Sequence, residues 1–308
     1  MVNWVEAQKP LLHGLMKFTG LRQTSIEIEP GTVMSFWLPK DKLGDNKNDN
    51  NEKPVVVLVH GFAAEGIVTW QFQVSSLMKK YAVYVPDLIF FGGSMSKSER
   101  RSPKFQAECL GIALEHLGVK KCTVVGFSYG GMVAFKLAEM KPEMVESLVV
   151  SGSVISMTDS ISETGLERLG FSSSAELLLP ESVKGLKALL QVAAYKKLWF
   201  PDCLYRDYLK VMFKNRKERA ELLEGLVVSN KDAVVPALTQ QRILLLWGEN
   251  DNIFNIDLAN KMKEQLGEKA TVQGIEKAGH LVHLERPFAY NQCLKEYLAL
   301  IYPETIQN

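Results

Sequence analysis

From Pro54 onward the chain alternates short, wholly apolar runs with longer stretches in which apolar residues recur every three or four positions. The runs are VVVLVHG, AVYVPDL, CTVVGFS, SLVVSGS, RILLLWGEN and, less apolar, ATVQGIEKAG. Amphipathic stretches near Val68–Lys80, Pro103–Leu117 and Tyr129–Met140 lie between the early runs. An apolar run without alternation predicts a strand buried on both faces, and such strands joined by helices predict a parallel sheet covered by helices. Their C-terminal ends then share one edge, where ligands bind in open sheets of this kind.

Two segments depart from the alternation. Before Pro54, TSIEIEP and TVMSFWLP predict two strands across the turn pair Pro30-Gly31, followed by a polar stretch, Asp41 to Lys53, read as a mobile surface loop. After SLVVSGS, about 80 residues show no convincing strand, far more than a usual connection. They read as helices: SETGLERLGF, SVKGLKALLQVAAYKK, CLYRDYLKVMFKN and RKERAELLEGLVVS. The expected organisation is a core of residues 1–154 and 236–308, with a helical cap over 155–235 inserted after the sixth strand. Residues 3–19 space Trp4, Val5, Leu11, Leu12, Leu15, Met16 and Phe18 as a helix interrupted by Pro10. That helix packs on its own domain or lies in a lipid interface. Its weakly basic polar face favours packing and leaves peripheral membrane contact as the alternative.

Composition narrows the classes. A formal net charge of +1 gives no electrostatic case for binding nucleic acid or an anionic membrane surface. Cys109, Cys122, Cys203 and Cys293 are scattered, which fits reduced thiols better than a zinc site or disulfide framework. No apolar run reaches the roughly 20 residues of a membrane span, and the N-terminus lacks a secretory pattern. A cytoplasmic protein, monomeric or weakly dimeric, is expected.

Candidate chemistry centres on Gly126-Phe127-Ser128-Tyr129-Gly130, a G-x-S-x-G between a strand run and a helical run. A strand–turn–helix elbow presents such a serine at the sheet edge, with a helix N-terminus aimed at whatever it attacks. A serine needs a base, and the base an orienting acid. Asp251, after the strand ending at Trp247, and His280, in KAGHLVHLERP, follow in the chain order of this elbow type. Glu249 and Asp257 are rival acids. His283 is the rival base, read more readily as a satisfied structural histidine; His13 and His116 sit in helical patterns. HGFAAEG, His60 to Gly66, offers an oxyanion loop, with the amides of Phe62 and Tyr129 as donors. His60, Gly61, Ala63 and Phe127 are placed at the substrate, His60 as a brace rather than a base. Asp87 in PDLIFFGGS is assigned to holding the Gly92-Gly93 turn.

HGFAAEG, PDLIFFGGS, GFSYGG, LLLWGENDNIF and KAGHLVHLERP, in this order, resemble the α/β-hydrolase superfamily. Within it the chain resembles plant serine hydrolases grouped with monoacylglycerol lipases and meta-cleavage-product hydrolases. The resemblance implies an α/β fold with a mostly parallel eight-stranded sheet, helices on both faces, a helical cap, a Ser128–His280–Asp251 triad and no cofactor. Relatives that open epoxides carry aspartate at the nucleophile, where this chain has Ser128. Carbon–carbon hydrolases carry G-x-G-P-G after the HG and Asn before the serine, where this chain has Phe62 to Gly66 and Phe127. Phe90 and Phe91 stand where the loop's usual pattern has a glycine.

Cap candidates for a pocket are apolar: Met157, Trp199, Tyr205, Tyr208 and Met212, with Phe171, Leu198, Phe200 and Phe213 nearby. They point to a small lipophilic carbonyl compound, such as an acyl or aryl ester, a monoacylglycerol or a lactone. The leading reading is a carboxylic-ester hydrolase. A hydrolase-fold ligand receptor with slow turnover, or a triad-based carbon–carbon hydrolase, lyase or cyclase, are the alternatives.

Overall fold

The computed structural model describes residues 3–43, 53–238 and 240–303. Strands β1 (Leu21–Glu29) and β2 (Thr32–Pro39) form an antiparallel hairpin. Then come β3 (Val55–Val59), β4 (Ala82–Pro86), the two-residue β5 (Met95–Ser96), β6 (Cys122–Phe127), β7 (Val145–Ser151), the short β8 (Met157–Thr158) and β9 (Val227–Val228), β10 (Arg242–Gly248) and β11 (Ala270–Ile275). Eight strands run in the order β1-β2-β4-β3-β6-β7-β10-β11, with β5 attached to β2. The six from β4 to β11 are parallel. The polar loop read over Asp41–Lys53 falls mainly outside the described residues, at 44–52; Lys40–Lys42 form one 3₁₀ turn.

The two-residue period of the strands divides the core. Val56 and Leu58 join one hydrophobic cluster with helices α1 (Trp4–Phe18), α2 (Gly66–Leu77) and α12 (Pro287–Ile301). Val57 and Val59 join the other, with α3 (Pro103–His116), α4 (Tyr129–Met140) and α10 (Ile256–Leu266). The outer strands β1 and β11 alternate between buried and open positions because each has a partner on one side only. Helix α1 runs through Pro10 and packs against the core through Met16.

Between β7 and β10 lie α5 (Asp159–Leu169), α6 (Ser174–Leu178), α7 (Val183–Ala193), α8 (Asp202–Met212) and α9 (Arg216–Glu224). Hydroxyl caps divide the first part of this segment: Thr158, Ser173 and Ser182 accept from Ile161, Glu176 and Gly185 amides. The cap at Thr158 starts α5 before the expected Ser162. Helix α6 was not anticipated, and neither was the parallel pairing of β8 with β9, where Val227-Val228 leaves the expected helix.

Phe90 and Phe91 fasten this segment to the core. Phe90 has φ 74°, and its carbonyl accepts from Asn215 Nδ2 (3.0 Å) and Arg219 Nε (3.1 Å). The buried Arg219 also donates to the Met212 carbonyl, and its guanidinium lies 4.1 Å from the Phe91 ring centroid. Arg101 lies 4.4 Å over the Phe90 ring and pairs with Glu221 at 2.8 Å. The two phenylalanines thus supply a cation–π clamp where a glycine would supply none.

Two buried histidines belong to the packing. His60 Nε2 accepts from the Leu88 amide (2.9 Å) and its Nδ1 lies 2.6 Å from the Gly61 carbonyl, an arrangement made by the neutral ring. Burial pulls its pKa down to about 4. His283, on α11 (Val282–Glu285), sits between Trp70, Phe127 and Tyr290, and burial pulls it down to about 3. Contrary to expectation it is not satisfied: neither ring nitrogen has a hydrogen-bond partner among the described residues.

Replacing Arg219 with Ala is expected to cost about 2–3 kcal/mol in urea unfolding, because it leaves two buried carbonyls short of a charged donor. Arg101→Ala, at a part-exposed ion pair, should cost under about 1 kcal/mol. The histidines set a pH dependence. Unfolded imidazoles take protons below about pH 6.5 while the folded ones do so only near 4 and 3, so stability falls on acidification through that interval. Asp87, raised by burial to about 6, binds a proton when folded and offsets one histidine between about pH 6 and 4. The net loss is then about 1.4 kcal/mol per pH unit. His283→Leu should raise the urea midpoint more at pH 5 than at pH 8; an equal effect at both would contradict the assignment.

Candidate active site

Strand β6 ends at Phe127 and α4 begins at Tyr129, leaving Ser128 to turn the chain in one residue at φ 52°, ψ −121°. That backbone is costly for a residue with a Cβ and persists only when its surroundings hold it. The Ser128 amide donates to the Ser151 carbonyl (2.9 Å), and the Ser128 carbonyl accepts from Ser153 Oγ (2.7 Å). A Cβ at Gly130 would lie 2.4 Å from the carbonyl oxygens of both Val59 and His60, so only glycine lets α4 start against the end of β3.

Ser128 Oγ lies 3.1 Å from His280 Nε2, and His280 Nδ1 lies 2.9 Å from Asp251 Oδ2. His280 follows β11, and Asp251 follows β10, so these strand ends and that of β6, one strand away across β7, converge on one edge. The other oxygen of Asp251 accepts from the Ile253 and Phe254 amides (2.8 and 2.9 Å), which fixes the carboxylate toward the ring. Both Asp251 and His280 are buried. Gly152, unremarked in the sequence, makes room for them: at φ 52°, its Cβ would lie 2.7 Å from His280 Nδ1. Of the rivals, Glu249 is exposed and lies over Gly274, and Asp257 is in the first turn of α10. His13 meets the Trp37 ring edge to face at 4.9 Å.

The HGFAAEG loop lies beside the serine, with Gly61 close against Phe127 and Ser128. Phe62 and Tyr129 meet edge to face at 5.8 Å, and their backbone amides donate to no acceptor among the described residues. Asp87 holds the neighbouring loop, accepting from Gly66 (2.9 Å) and Gly93 (3.2 Å) amides.

Two cavities meet at Ser128 and share Phe62, Leu178, Ile253 and His280 in their walls. The larger, about 390 Å³, runs under α7 and α8 and is lined by Gly61, Ala63, Phe127, Tyr205 and Tyr208 as expected for substrate contacts. The smaller, about 70 Å³, includes Met157. Among the described residues neither wall holds a Lys, Arg, Asp or Glu. Three expected contacts lie elsewhere. His60 is occupied by its own loop bonds and borders neither cavity. Trp199 is 81% exposed on the outer surface, and Met212 is buried where α8 packs on the core. Leu186, Leu189 and Leu190 of α7, and Val5 and Gln8 of α1, join the wall of the larger cavity without having been expected there. The apolar spacing of SVKGLKALLQVA marked α7 as amphipathic, but nothing local tells which surface its apolar face covers. Among the described residues no group of three or more His, Cys, Asp or Glu side chains could hold a metal ion. No helix among them is long and apolar enough to cross a membrane.

A family model described as the alpha/beta hydrolase fold matches residues 54–175. Mouse epoxide hydrolase 4 is 34% identical over 270 residues, covering 80% of this chain and 73% of that protein. A 2-hydroxy-6-oxononadienedioate/2-hydroxy-6-oxononatrienedioate hydrolase of Pseudomonas is 25% identical, covering 81% of this chain and 89% of that protein. Among solved structures, a protein of Acinetobacter baumannii described as a putative lipase superposes with a TM-score of 0.77 at 22% identity, covering 97% of each chain. With the strand order, the elbow at Ser128 and these likenesses together, the chain belongs to the α/β-hydrolase superfamily.

Proposed function

We propose that the chain is a carboxylic-ester hydrolase that works through an acyl-enzyme on an uncharged, lipophilic substrate. The reading is carried by the Ser128–His280–Asp251 chain of hydrogen bonds opening onto a cavity with no charged wall. Ser128 Oγ attacks the ester carbonyl as its proton passes to His280 Nε2, and Asp251 holds the imidazolium that forms. The Phe62 and Tyr129 amides receive the oxyanion, and α4 adds its positive dipole end. His280 then protonates the departing alcohol, and water repeats the sequence on the acyl-enzyme. Residues 155–235 act as the cap that closes the acyl cavity.

Chemistry separates this reading from the activities named for the relatives. A serine that opened an epoxide would be left with an ether, which the same triad has no means to hydrolyse; a carboxylate nucleophile leaves an ester, which water releases. A dioate would need cationic partners for two carboxylates, and the cavity walls have none.

Labelling by a fluorophosphonate probe, and burst kinetics with p-nitrophenyl butyrate, are the expected results. Ser128→Ala should abolish labelling and lower kcat by at least about 1000-fold while remaining folded. A folded Ser128→Ala variant that hydrolyses the ester as well as the parent would overturn the proposal, as would a folded parent that neither labels nor turns over. For the cavity, Leu190→Trp should lower kcat/KM for a p-nitrophenyl decanoate by about tenfold or more while changing the acetate little. Equal losses for both esters would place the acyl chain elsewhere.

A further inference from the structure

Helix α1 carries two adjoining apolar sides. Val5, Leu12 and Met16 face the protein's hydrophobic clusters. Trp4, Leu11, Leu15 and Phe18 fall within about 60° of one another at 100° per residue. They are 57, 75, 45 and 90% exposed. Ala7 and Gly14 flank this arc on one side and Gln8 on the other, so no charge interrupts it. So wide an apolar arc is normally enclosed, and among the described residues nothing covers this side.

A second exposed apolar segment stands beside the same opening. Tyr195-Lys196-Lys197-Leu198-Trp199-Phe200 is exposed at every position, with Trp199 at 81%. Leu198 and Phe200 border the larger cavity from this loop, and Val5 and Gln8 border it from α1. The Trp4 amide donates to Asp207 of α8 at 2.8 Å, which ties the start of the helix to the segment that bears the loop. The loop and the outer side of α1 therefore flank one mouth.

We propose that this face docks on an anionic lipid surface and sets the cavity mouth against it. The composition selects the occupant. Tyr, Trp and Phe beside two lysines suit the boundary between headgroups and acyl chains, where rings bury and ammonium groups meet anionic phosphates. A second copy of the chain fits poorly, because a two-fold contact centred on the loop sets Lys196 and Lys197 against their own copies. The proposal goes beyond ester hydrolysis and stands or falls separately from the chemistry at Ser128.

The test uses full-length Ser128→Ala protein, which cannot consume lipid through Ser128, in co-sedimentation with phosphatidylcholine vesicles with and without phosphatidylserine. Binding to the phosphatidylserine vesicles is expected, weakened by salt, with a blue shift of tryptophan emission. Lys196→Glu and Lys197→Glu should each weaken it about fivefold or more at low salt. Trp199→Ser, and Leu11→Ser with Phe18→Ser, should each weaken it about tenfold or more. In the Ser128 background those apolar variants should keep hydrolysis of water-soluble p-nitrophenyl acetate and the parent's urea midpoint. Three results would overturn the proposal: no sedimentation with either vesicle, binding that survives both apolar variants, or a dimer in analytical ultracentrifugation that those variants disperse. Loss of esterase activity with vesicle binding intact would count against the hydrolase reading alone.

Discussion

The close approach of α4 to the end of β3 is the constraint from which the site's geometry follows. Gly130 brings its backbone against the Val59 and His60 carbonyls, so the helix begins one residue after β6 ends. That leaves Ser128 no extended or helical conformation to adopt, and φ 52° is the result. The same approach sets the loop after β3, with Phe62, directly beside the serine. A hydroxyl, two unoccupied amides and a helix N-terminus are thus assembled by backbone packing, before any side-chain partner is considered. The buried valines of β3 and β6 make that packing rigid.

The remaining parts arrive from a distance in the chain but not in space. Strand order places β10 next to β7 and β11 beyond it, so Asp251 and His280 emerge at the same edge as the serine. Gly152, at the end of β7, leaves the gap into which the His280–Asp251 pair fits. Asp251 is oriented by two backbone amides of its own turn, so the imidazole is directed by a carboxylate that cannot rotate freely. On the other side, Arg219 and Asn215 grip the Phe90 carbonyl and hold the helices between β7 and β10 over the cavity. Among the described residues no carboxylate forms an ion pair with the buried Arg219; its hydrogen bonds run to carbonyls and its guanidinium lies over the Phe91 ring.

What the sequence made legible follows from the range of each signal. The parallel strands could be read because burial on both faces requires uninterrupted apolar runs, and α4 was readable to its ends because the elbow and Lys141-Pro142 bound it. Ser128, Asp251 and His280 could be named because each stands at a strand end, a local feature. Wall residues were a different matter. Trp199 and Met212 have the right chemistry for a pocket, yet one faces outward and the other faces the core, and neither direction is encoded by hydrophobicity. Phe90 and Phe91 gave no meaning until Arg219, 128 positions beyond Phe91, was beside them. His283 was expected to be satisfied because buried polar groups usually are; its packing against three aromatic rings leaves its nitrogens no such neighbour.

The uncharged cavity and the polar triad also constrain each other. In the proposed reaction, with no Lys, Arg, Asp or Glu in the described wall, no nearby fixed charge would compete for an imidazolium forming on His280. Asp251, at 2.9 Å and buried, would be its principal counter-ion. The same low-polarity surroundings would strengthen amides that face a developing oxyanion. An apolar substrate completes this arrangement by filling the remaining space with material that does not screen the field. A charged substrate would instead bring its own hydration or leave a charge unpaired. Selectivity for lipophilic esters and efficiency of the triad would therefore share one physical cause, a wall built from the leucines of α7 and the tyrosines of α8.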